Sequence, residues 1–340
     1  MAEVKTKQRN CSVDLFRYIA ALMVVAIHTH PFVDINTNLG FVFTEMVTRI
    51  GVPFFFGIAG YFYIQKLESG QKVFWSYIKR LLTTYSLWTV LYYALDFVQY
   101  GHKDIGAFIR DGIFYYFVSG SRGHFWFFPA IIYSVCLITL LYKAGAKKWI
   151  IPLGILCYLV GSLGSTYYTL GVQIPVLGQL FRMQEWVTFR RILLTGFPCM
   201  GGGYLVYLLQ KRVSDPRKIT IAWIGTTLLW LGEVVVVKVL GLYRDVVTPT
   251  FLYLHLITTL LFLLCHPMPK AAALANRCRV TANFTYYSHP FVIICINTLS
   301  GVVLGRQFSE TIMCLLTIGI CTVAGLIICK WNNKFINHFV

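Results

Sequence analysis

Apolar residues are concentrated in ten stretches that short polar connections separate. Each stretch approaches or exceeds the roughly 18 to 20 apolar residues that a helix needs to cross about 30 Å of hydrocarbon. Because a helix satisfies its own backbone hydrogen bonds in lipid, the pattern predicts an all-α, polytopic transmembrane helix bundle of about ten helices. The predicted spans are residues 11–30, 45–64, 73–98, 125–142, 149–165, 191–209, 219–240, 248–265, 282–303 and 311–329.

Lysine and arginine are distributed unequally between the two sets of connections. Alternate connections, beginning with the one that holds Lys5, contain 19 of these residues, and the other set contains 8. Lysine and arginine near membrane spans favour the cytoplasmic side. The bias therefore predicts that both chain ends are cytoplasmic.

Composition supports a membrane environment and argues against a nucleic-acid partner. Of the 340 residues, 57% are hydrophobic and 13% are charged, with a mean hydropathy of +0.66. The net charge of +17 comes from basic residues at the ends of apolar stretches, whereas a nucleic-acid binder concentrates them on one polar face or tail. Most of the ten cysteines lie in or beside apolar spans without zinc-site spacing, so we expect no metal.

The whole chain, residues 1–340, is predicted to be one integral membrane domain, with a short polar stretch at 1–10 and spans over about 11–330. The first span carries Asp14 and Arg17, which a cleavable signal peptide would not, so we expect it to remain as a helix. The long outer connections, 99–123 and 166–190, are rich in Tyr, Phe and Gly. We expect them to form short interfacial elements above any cavity that opens outward.

Three polar residues of the first span share one side of a helix. Arg17 and His28 are eleven residues apart, so they fall within about 20° of each other and roughly 16 Å apart along the axis. Asp14 precedes Arg17 by three residues and can pair with it, whereas His30 falls on the opposite side. One interpretation is that Arg17 reaches the cytoplasmic surface and His28 is an ordinary interfacial histidine. Because lipid is a poor environment for Arg17, we favour a cavity that extends from Arg17 to His28.

Further polar and aromatic residues are candidates for binding a substrate or donor. Glu45 and Arg49 are four residues apart, which suits either a salt bridge at a helix end or one wall of an acceptor pocket. His124 and Trp126 suit a pocket mouth or an interfacial aromatic belt. His289 precedes Pro290 and is either a ligand-binding residue or the cap of a broken helix.

Residues in the first two spans resemble the membrane-bound acyltransferase-3 family. That family has an Asp-x-x-Arg element followed by ten residues and a His, as in Asp14, Arg17 and His28. The stretch 51–61 is similar to the family's second helix, although the family commonly has Ser-Gly where this chain has Ala59 and Gly60.

Two weaker elements extend the resemblance to residue 290. The stretch 124–128 resembles the aromatic opening of a middle helix, and 286–290 resembles the Tyr-x-x-His element of the ninth helix. Within the family, the stretches 52–56 and 126–130 look similar to the membrane half of vancomycin-resistance membrane serine racemases.

The family resemblance implies a membrane O-acyltransferase of a bacterial plasma membrane. The donor is then a cytoplasmic acyl-CoA, usually acetyl-CoA, used as a co-substrate with no permanently bound cofactor. The acceptor is a hydroxyl of an envelope glycan, lipid or cell-wall precursor. Histidine can take the proton of a hydroxyl near neutral pH, so His28 is the expected general base. Arg17, paired with Asp14, is the expected anchor of a phosphate or of the thioester end of the donor.

The similarity to the racemases supplies an alternative. Their membrane half is thought to move L-serine across the membrane, so a small-molecule transporter is the second interpretation. The sequence ends at Val340, soon after the last span, and we therefore expect no racemase domain. A transporter of this kind is expected to have discontinuous helices near the midplane. The Gly-Val-Pro sequence at 51–53 lies too near a span end to supply one, so we favour the transferase.

Overall fold

The computed structural model describes residues 10–101, 104–245 and 248–331. Within these residues the secondary structure is helical, and no β-strand occurs. The α-helices are α1 Cys11–Thr29, α2 Thr37–Phe41, α3 Gly51–Glu68, α4 Phe74–Tyr100, α5 Ile105–Val118, α6 Phe127–Lys143, α7 Ile150–Leu163, α8 Tyr168–Gly171, α9 Pro175–Arg182, α10 Trp186–Phe189, α11 Phe197–Leu209, α12 Pro216–Val239, α13 Thr250–Cys265, α14 Ala272–Leu304 and α15 Glu310–Lys330.

Two π-helical segments join α-helices without interrupting them. Val42–Met46 and the 3₁₀ turn Val47–Ile50 connect α2 to α3, which makes Thr37–Glu68 one helical run. Arg190–Gly196 connects α10 to α11, which makes Trp186–Leu209 another. Further 3₁₀ turns are Lys147–Trp149 and Pro269–Ala271.

The helices confirm the all-α, polytopic bundle. Each of the ten predicted spans lies on a helix of the structure. Six helical segments of the described residues are long and apolar enough to cross a membrane, and α6 and α13 are shorter apolar helices. The long segments are Cys11–Thr29, Thr37–Glu68, Trp186–Leu209, Pro216–Val239, Pro269–Leu304 and Glu310–Lys330.

Large apolar side chains remain exposed on the outside of the bundle. Leu228 on α12, Val302 on α14 and Leu315 on α15 are each at least 65% exposed. Apolar side chains on that surface face lipid in a membrane protein, so their exposure is favourable there.

Small residues allow α3 and α11 to cross closely at the centre of the bundle. A Cβ atom on Gly203 would overlap the carbonyl oxygen of Gly57, and one on Gly60 would overlap the backbone of Met200. Gly203 and Gly60 therefore lie where the two helices are in close contact. Small residues at such crossings let the backbones approach within van der Waals contact.

Helix α14 differs from its predicted span in two respects. It begins at Ala272, ten residues before the predicted start at 282, so Arg277 and Arg279 lie on a helix and not in a connection. It also continues through Pro290, so the interpretation of His289 as the cap of a broken helix is wrong. Apolar content alone placed the start too late, because the first turns of α14 are polar.

Short helices occupy both long outer connections, as predicted. Helix α5 lies in the connection 99–123, and α8, α9 and α10 lie in 166–190. The segment that follows α5 then enters the bundle, since His124 is 4% exposed and Phe125 is fully buried. This entry places residues 124–126 against α1 and α14, as described below.

Glu233 is a buried carboxylate that holds the start of α13. Its Oε1 accepts hydrogen bonds from the Tyr167 hydroxyl at 2.5 Å and the Thr250 N–H at 2.6 Å. Its Oε2 accepts from the Phe251 N–H at 2.7 Å. These contacts satisfy N–H groups that a helix start leaves without partners. Lys238 instead donates to Asn38 Oδ1 at 3.0 Å, so Glu233 and Lys238 serve different contacts.

The orientation with both ends cytoplasmic stays a prediction. It rests on the 19 to 8 partition of lysine and arginine. Five of the counted residues, Lys5, Lys7, Arg9, Lys103 and Lys334, lie outside the described residues.

Cysteine labelling in intact cells tests this orientation. Ser214 and Gly106 are exposed on opposite sides of the predicted topology, so each is replaced by Cys separately. We expect a membrane-impermeant thiol reagent to label the Gly106→Cys protein from outside and the Ser214→Cys protein only after permeabilisation. The parent protein, which contains ten cysteines, gives the background. The reverse labelling pattern would invert the topology.

Candidate functional site

The polar face predicted for α1 points toward α14. Arg17, near the start of α1, lines a cavity with α14 residues, and His28, in its last turn, contacts His289 of α14. Both helices run in the same direction across the bundle. The four polar residues on this face of α14, at i, i+4, i+7 and i+10, are Arg279, Asn283, Tyr286 and His289.

His28 and His289 form a hydrogen bond whose direction follows from their other contacts. Nδ1 of His28 lies 2.8 Å from the carbonyl oxygen of Val24, which only accepts, so this nitrogen carries the proton. Nδ1 of His289 lies 3.0 Å from the Thr285 carbonyl and carries a proton for the same reason. The single Nδ1 hydrogen of His28 is therefore shared between the Val24 carbonyl and the unprotonated Nε2 of His289, which lies 3.3 Å away.

This arrangement leaves Nε2 of His28 as the free, unprotonated nitrogen. His28 is exposed although it lies in the last turn of a packed helix, whereas His289 is fully buried. A hydroxyl that reaches His28 from the exposed side meets a nitrogen able to accept its proton. When His28 becomes charged, the bond to His289 stabilises the proton on Nδ1.

Pro290 explains why the Tyr286 carbonyl is available to His289. Proline has no N–H, so the Tyr286 carbonyl lacks its helical donor and lies 2.9 Å from Nδ1 of His289. The next turn is bridged by Tyr92, whose hydroxyl donates to the Tyr287 carbonyl at 2.8 Å and accepts from the Phe291 N–H at 3.1 Å. The Tyr92 hydroxyl is thus inserted into the backbone hydrogen bonds of α14 beside Pro290.

His124 completes a cluster of three histidine rings. Its ring centroid lies 5.3 Å from that of His289 and 6.5 Å from that of His28. The Tyr286 hydroxyl donates to the His124 carbonyl at 2.9 Å and so holds this segment against α14. The buried Nε2 of His124 has no hydrogen-bond partner among the described residues. A buried polar atom of this kind is suited to a group that the substrate brings.

A cavity of about 600 Å³ lies on the other side of Tyr286. This volume is within the range of about 300 to 1,000 Å³ that ligand pockets occupy. It is surrounded by the starts of α1, α4 and α14, the end of α3 and the first turns of α6. The starts of α1, α4 and α14 and the end of α3 are on the predicted cytoplasmic side, whereas α6 starts on the predicted outer side and its first turns close the inner end of the cavity.

Basic and aromatic side chains line this cavity. The basic residues are Arg17, Lys66, Arg80 and Arg279, and the aromatic residues include Phe62, Tyr77 and Tyr287. The carboxylate ion-paired with this set, within the described residues, is Asp14, which lies 3.0 Å from Nη1 of Arg17. Positive charge therefore remains in excess, and the cavity suits a ligand that carries phosphates. Ala59, which replaces the serine common in the family, also lines it.

The cavity reaches Arg17 but not His28. Its inner wall is formed by the aromatic rings of Phe55, Phe127 and Tyr286. Tyr286 lies 5.9 Å from Phe55 and 5.5 Å from Phe127, measured between ring centroids. The cavity predicted to be continuous from Arg17 to His28 is therefore divided by this aromatic wall. The prediction used only the helical spacing on α1, which gives no information about rings on other helices.

The remaining predicted residues lie near the outer end of α1. Arg49 is ion-paired with Glu45, as the spacing allowed. The guanidinium of Arg191 lies 5.8 Å from the ring centre of Trp126. Both Arg49 and Arg191 are close enough to His28 to act on it electrostatically. Glu45 and Trp126 therefore contact the two arginines that act on His28, Glu45 through its ion pair with Arg49 and Trp126 through the guanidinium of Arg191.

Several site residues were missed by the sequence analysis. Lys66, Arg80 and Arg279 were counted only as topology signals, and Arg191 only as a basic residue at the edge of a span. The helical spacing of Arg279, Asn283 and Tyr286 was the available signal, but it required the earlier start of α14. Among the described residues, no group of three or more His, Cys, Asp or Glu side chains is placed to hold a metal ion.

Comparison with protein families matches residues 10–330 to a family model described as an acyltransferase domain. The chain therefore belongs to the acyltransferase-3 family, as the motifs of the first two spans indicated. No solved structure matches the chain.

Three relatives are named as racemases. A protein named amino-acid racemase from Enterococcus faecalis is 31% identical over 322 residues, which cover 86% of this chain and 42% of that protein. A serine/alanine racemase from Enterococcus gallinarum is 34% identical over 176 residues, 49% of this chain and 25% of that protein. A second amino-acid racemase from Enterococcus faecalis is 29% identical over 182 residues. The chain thus spans less than half the length of these relatives.

Substitution of the two bonded histidines tests their roles. We expect His28→Ala to reduce acyl transfer about 10²- to 10⁴-fold, the usual contribution of a general base. We expect His289→Ala to reduce the rate less, and His289→Gln to recover part of it, because the amide oxygen can accept from Nδ1 of His28. The measurement is the rate of acyl transfer by purified protein.

His30→Ala is the matched control, since His30 is exposed and follows α1. Equal losses from His28→Ala and His30→Ala would contradict the assignment of His28. Failure of His289→Gln to exceed His289→Ala would show that His289 only fills space.

Proposed function

We propose that the protein is a membrane O-acyltransferase that transfers an acyl group, most simply acetyl, from cytoplasmic acyl-CoA to an envelope hydroxyl. The observation that carries this proposal is a basic cavity and an exposed histidine on opposite sides of one aromatic wall. A transferase that uses a donor from one side and an acceptor from the other requires such an arrangement.

The basic cavity is the proposed donor site. An acyl-CoA carries several phosphates at one end and a thioester at the other, so the four basic side chains would bind the phosphates. Arg17, the α1 residue that lines the cavity, would also contact the thioester arm. Asp14 is 5% exposed and paired with Arg17, and its role is to orient that guanidinium. Asp14 is about 21 Å from His28 along the helix and takes no part in proton transfer.

The histidine cluster supplies the proposed chemistry. Nε2 of His28 accepts the proton of the acceptor hydroxyl as its oxygen attacks the thioester carbonyl carbon. The new C–O bond forms, the C–S bond breaks, and the departing CoA sulfur takes the proton from His28. His289 stabilises the intermediate charge on His28 through the Nδ1 hydrogen bond. For this step the thioester must pass the wall of Phe55, Phe127 and Tyr286.

The acceptor is proposed to be a glycan, lipid or cell-wall precursor presented at the outer side of a bacterial plasma membrane. His28 is exposed at the predicted outer end of α1, where such a molecule can reach it. The named relatives come from Enterococcus, which supports a bacterial cell envelope.

Transport of a small amino acid remains the second candidate, because the relatives are named for acting on amino acids. Those names describe proteins more than twice as long as the matching part. The helices on either side of the aromatic wall, α1 and α14, are continuous at this depth. A transporter site of the expected type would instead lie between broken helices.

Mass spectrometry of the envelope tests the proposed transfer. Cells that produce the protein should contain glycans or lipids heavier by one acetyl group than those of cells that produce His28→Ala. The two proteins must be present in the membrane in equal amounts. Uptake of labelled L-serine that depends on the protein, without any acylated product, would favour the transporter.

Substitutions at Arg17 test the donor site. We expect Arg17→Gln to weaken acetyl-CoA binding at least tenfold, and Arg17→Lys to recover part of it, because lysine keeps the charge but not the two-pronged geometry. His28→Ala should bind acetyl-CoA normally. Binding is measured by calorimetry on purified protein.

The Asp14→Asn, Arg17→Gln double variant separates anchoring from ion pairing. If Arg17 serves only to neutralise Asp14, removing both charges restores binding and transfer. If Arg17 contacts the donor, the double variant remains as defective as Arg17→Gln. Restored binding would therefore contradict the anchor role.

A further inference from the structure

Three of the arginines at the predicted outer end of the bundle lie in the helical runs Thr37–Glu68 and Trp186–Leu209, and two of these three have carboxylate partners. Arg49 is paired with Glu45. Arg190 is 2% exposed and lies 2.5 Å from the carboxylate of Asp245. The charges of both are thus compensated within the chain.

Arg191 is the third arginine, and its charge is not compensated in this way. It is half-buried, and no ion pair involves it among the described residues. The charged groups that act on it are Arg190 and Arg49, which repel it, and Asp245, which Arg190 already binds. The contact of Arg191 with the Trp126 ring supplies attraction without supplying a negative charge.

Local helix geometry holds Arg191 in this position. It belongs to the π-helical segment Arg190–Gly196, and π-turns within helices occur frequently at functional sites. The segment packs against α6, where a Cβ on Gly196 would lie 3.0 Å from Ser134 Oγ. The position of Arg191 beside Trp126 and His28 is therefore fixed by packing.

An uncompensated guanidinium at a half-buried position in a membrane protein is costly, and such groups mark ligand pathways by default. Arg191 contacts Trp126, which lies two residues after His124, and the His124 ring centroid is 6.5 Å from that of His28, where the proposed acceptor hydroxyl must bind. A carboxylate or a phosphate would supply the missing charge and would match the planar fork of the guanidinium.

We propose that Arg191 binds an anionic group, a carboxylate or a phosphate, that the acceptor carries beside its reacting hydroxyl. This inference rests on the proposed function, since it identifies the class of acceptor for the same site. It selects acidic sugars, phosphorylated lipids and hydroxy acids over neutral sugars and neutral lipids.

A binding experiment tests the inference without requiring acyl transfer. The melting temperature of purified protein is measured with each of three hydroxyl compounds. Glycerol 3-phosphate also carries a phosphate, L-serine also carries a carboxylate, and glycerol carries no anionic group. We expect glycerol 3-phosphate or L-serine, or both, to raise the melting temperature of the parent and of His28→Ala, while glycerol does not. The probe that acts shows whether the anion is a phosphate or a carboxylate.

Variants of Arg191 complete the experiment. We expect Arg191→Gln to weaken binding of the effective probe at least tenfold and Arg191→Lys to weaken it less. Arg306→Gln, which removes an exposed outer arginine, is the matched control and should bind as the parent does. The melting curve without a probe shows whether each variant is folded. If Arg191→Gln is not folded, the comparison with the parent uses Arg191→Lys instead.

The outcomes distinguish this inference from the proposed function. The anionic acceptor is overturned if neither glycerol 3-phosphate nor L-serine raises the melting temperature of the parent. It is also overturned if the probe raises the melting temperatures of Arg191→Gln and the parent equally. If acetyl-CoA binding is normal in those cases, the proposed donor site is still supported. Anion binding that depends on Arg191 in a protein that never acylates an envelope component would uphold this site and contradict the transferase.

Discussion

The hydrogen bond between His28 and His289 is the contact on which the organisation of the site depends. It joins α1 to α14 at the depth where both helices are closely packed, and it determines which nitrogen of His28 is free. Pro290 leaves the Tyr286 carbonyl without its helical donor, and Nδ1 of His289 lies 2.9 Å from that carbonyl, which leaves Nε2 of His289 available to His28. A proline in a membrane helix here helps to orient His289, and the role proposed for His28 uses the ring nitrogen that its bonds leave free.

The environment along α1 and α14 differs between the starts of these helices and their outer ends. Near their starts, basic side chains surround a cavity whose excess positive charge favours phosphates. Near their outer ends, a neutral imidazole is exposed and a half-buried guanidinium lacks a carboxylate within the described residues. The two ends of these helices therefore differ in their charge and in their exposure.

The sequence predicted the helices and the shared face of Arg17 and His28 because both depend on local periodicity. It did not predict the partner of His289 or the early start of α14, because these depend on contacts between helices distant in the chain. The π-turn that positions Arg191 has no local sequence signature, since packing against α6 stabilises it. The aromatic wall was likewise hidden, as its rings come from α3, α6 and α14.

The wall of Phe55, Phe127 and Tyr286 also bears on the permeability of the membrane. A basic cavity open on one side and a titratable histidine accessible on the other would together form a path for protons and ions if water connected them. Three packed aromatic rings interrupt such a water chain, and the Tyr286 hydroxyl is already engaged by the His124 carbonyl. The site can thus be accessible from both sides while the bilayer retains its electrochemical gradient.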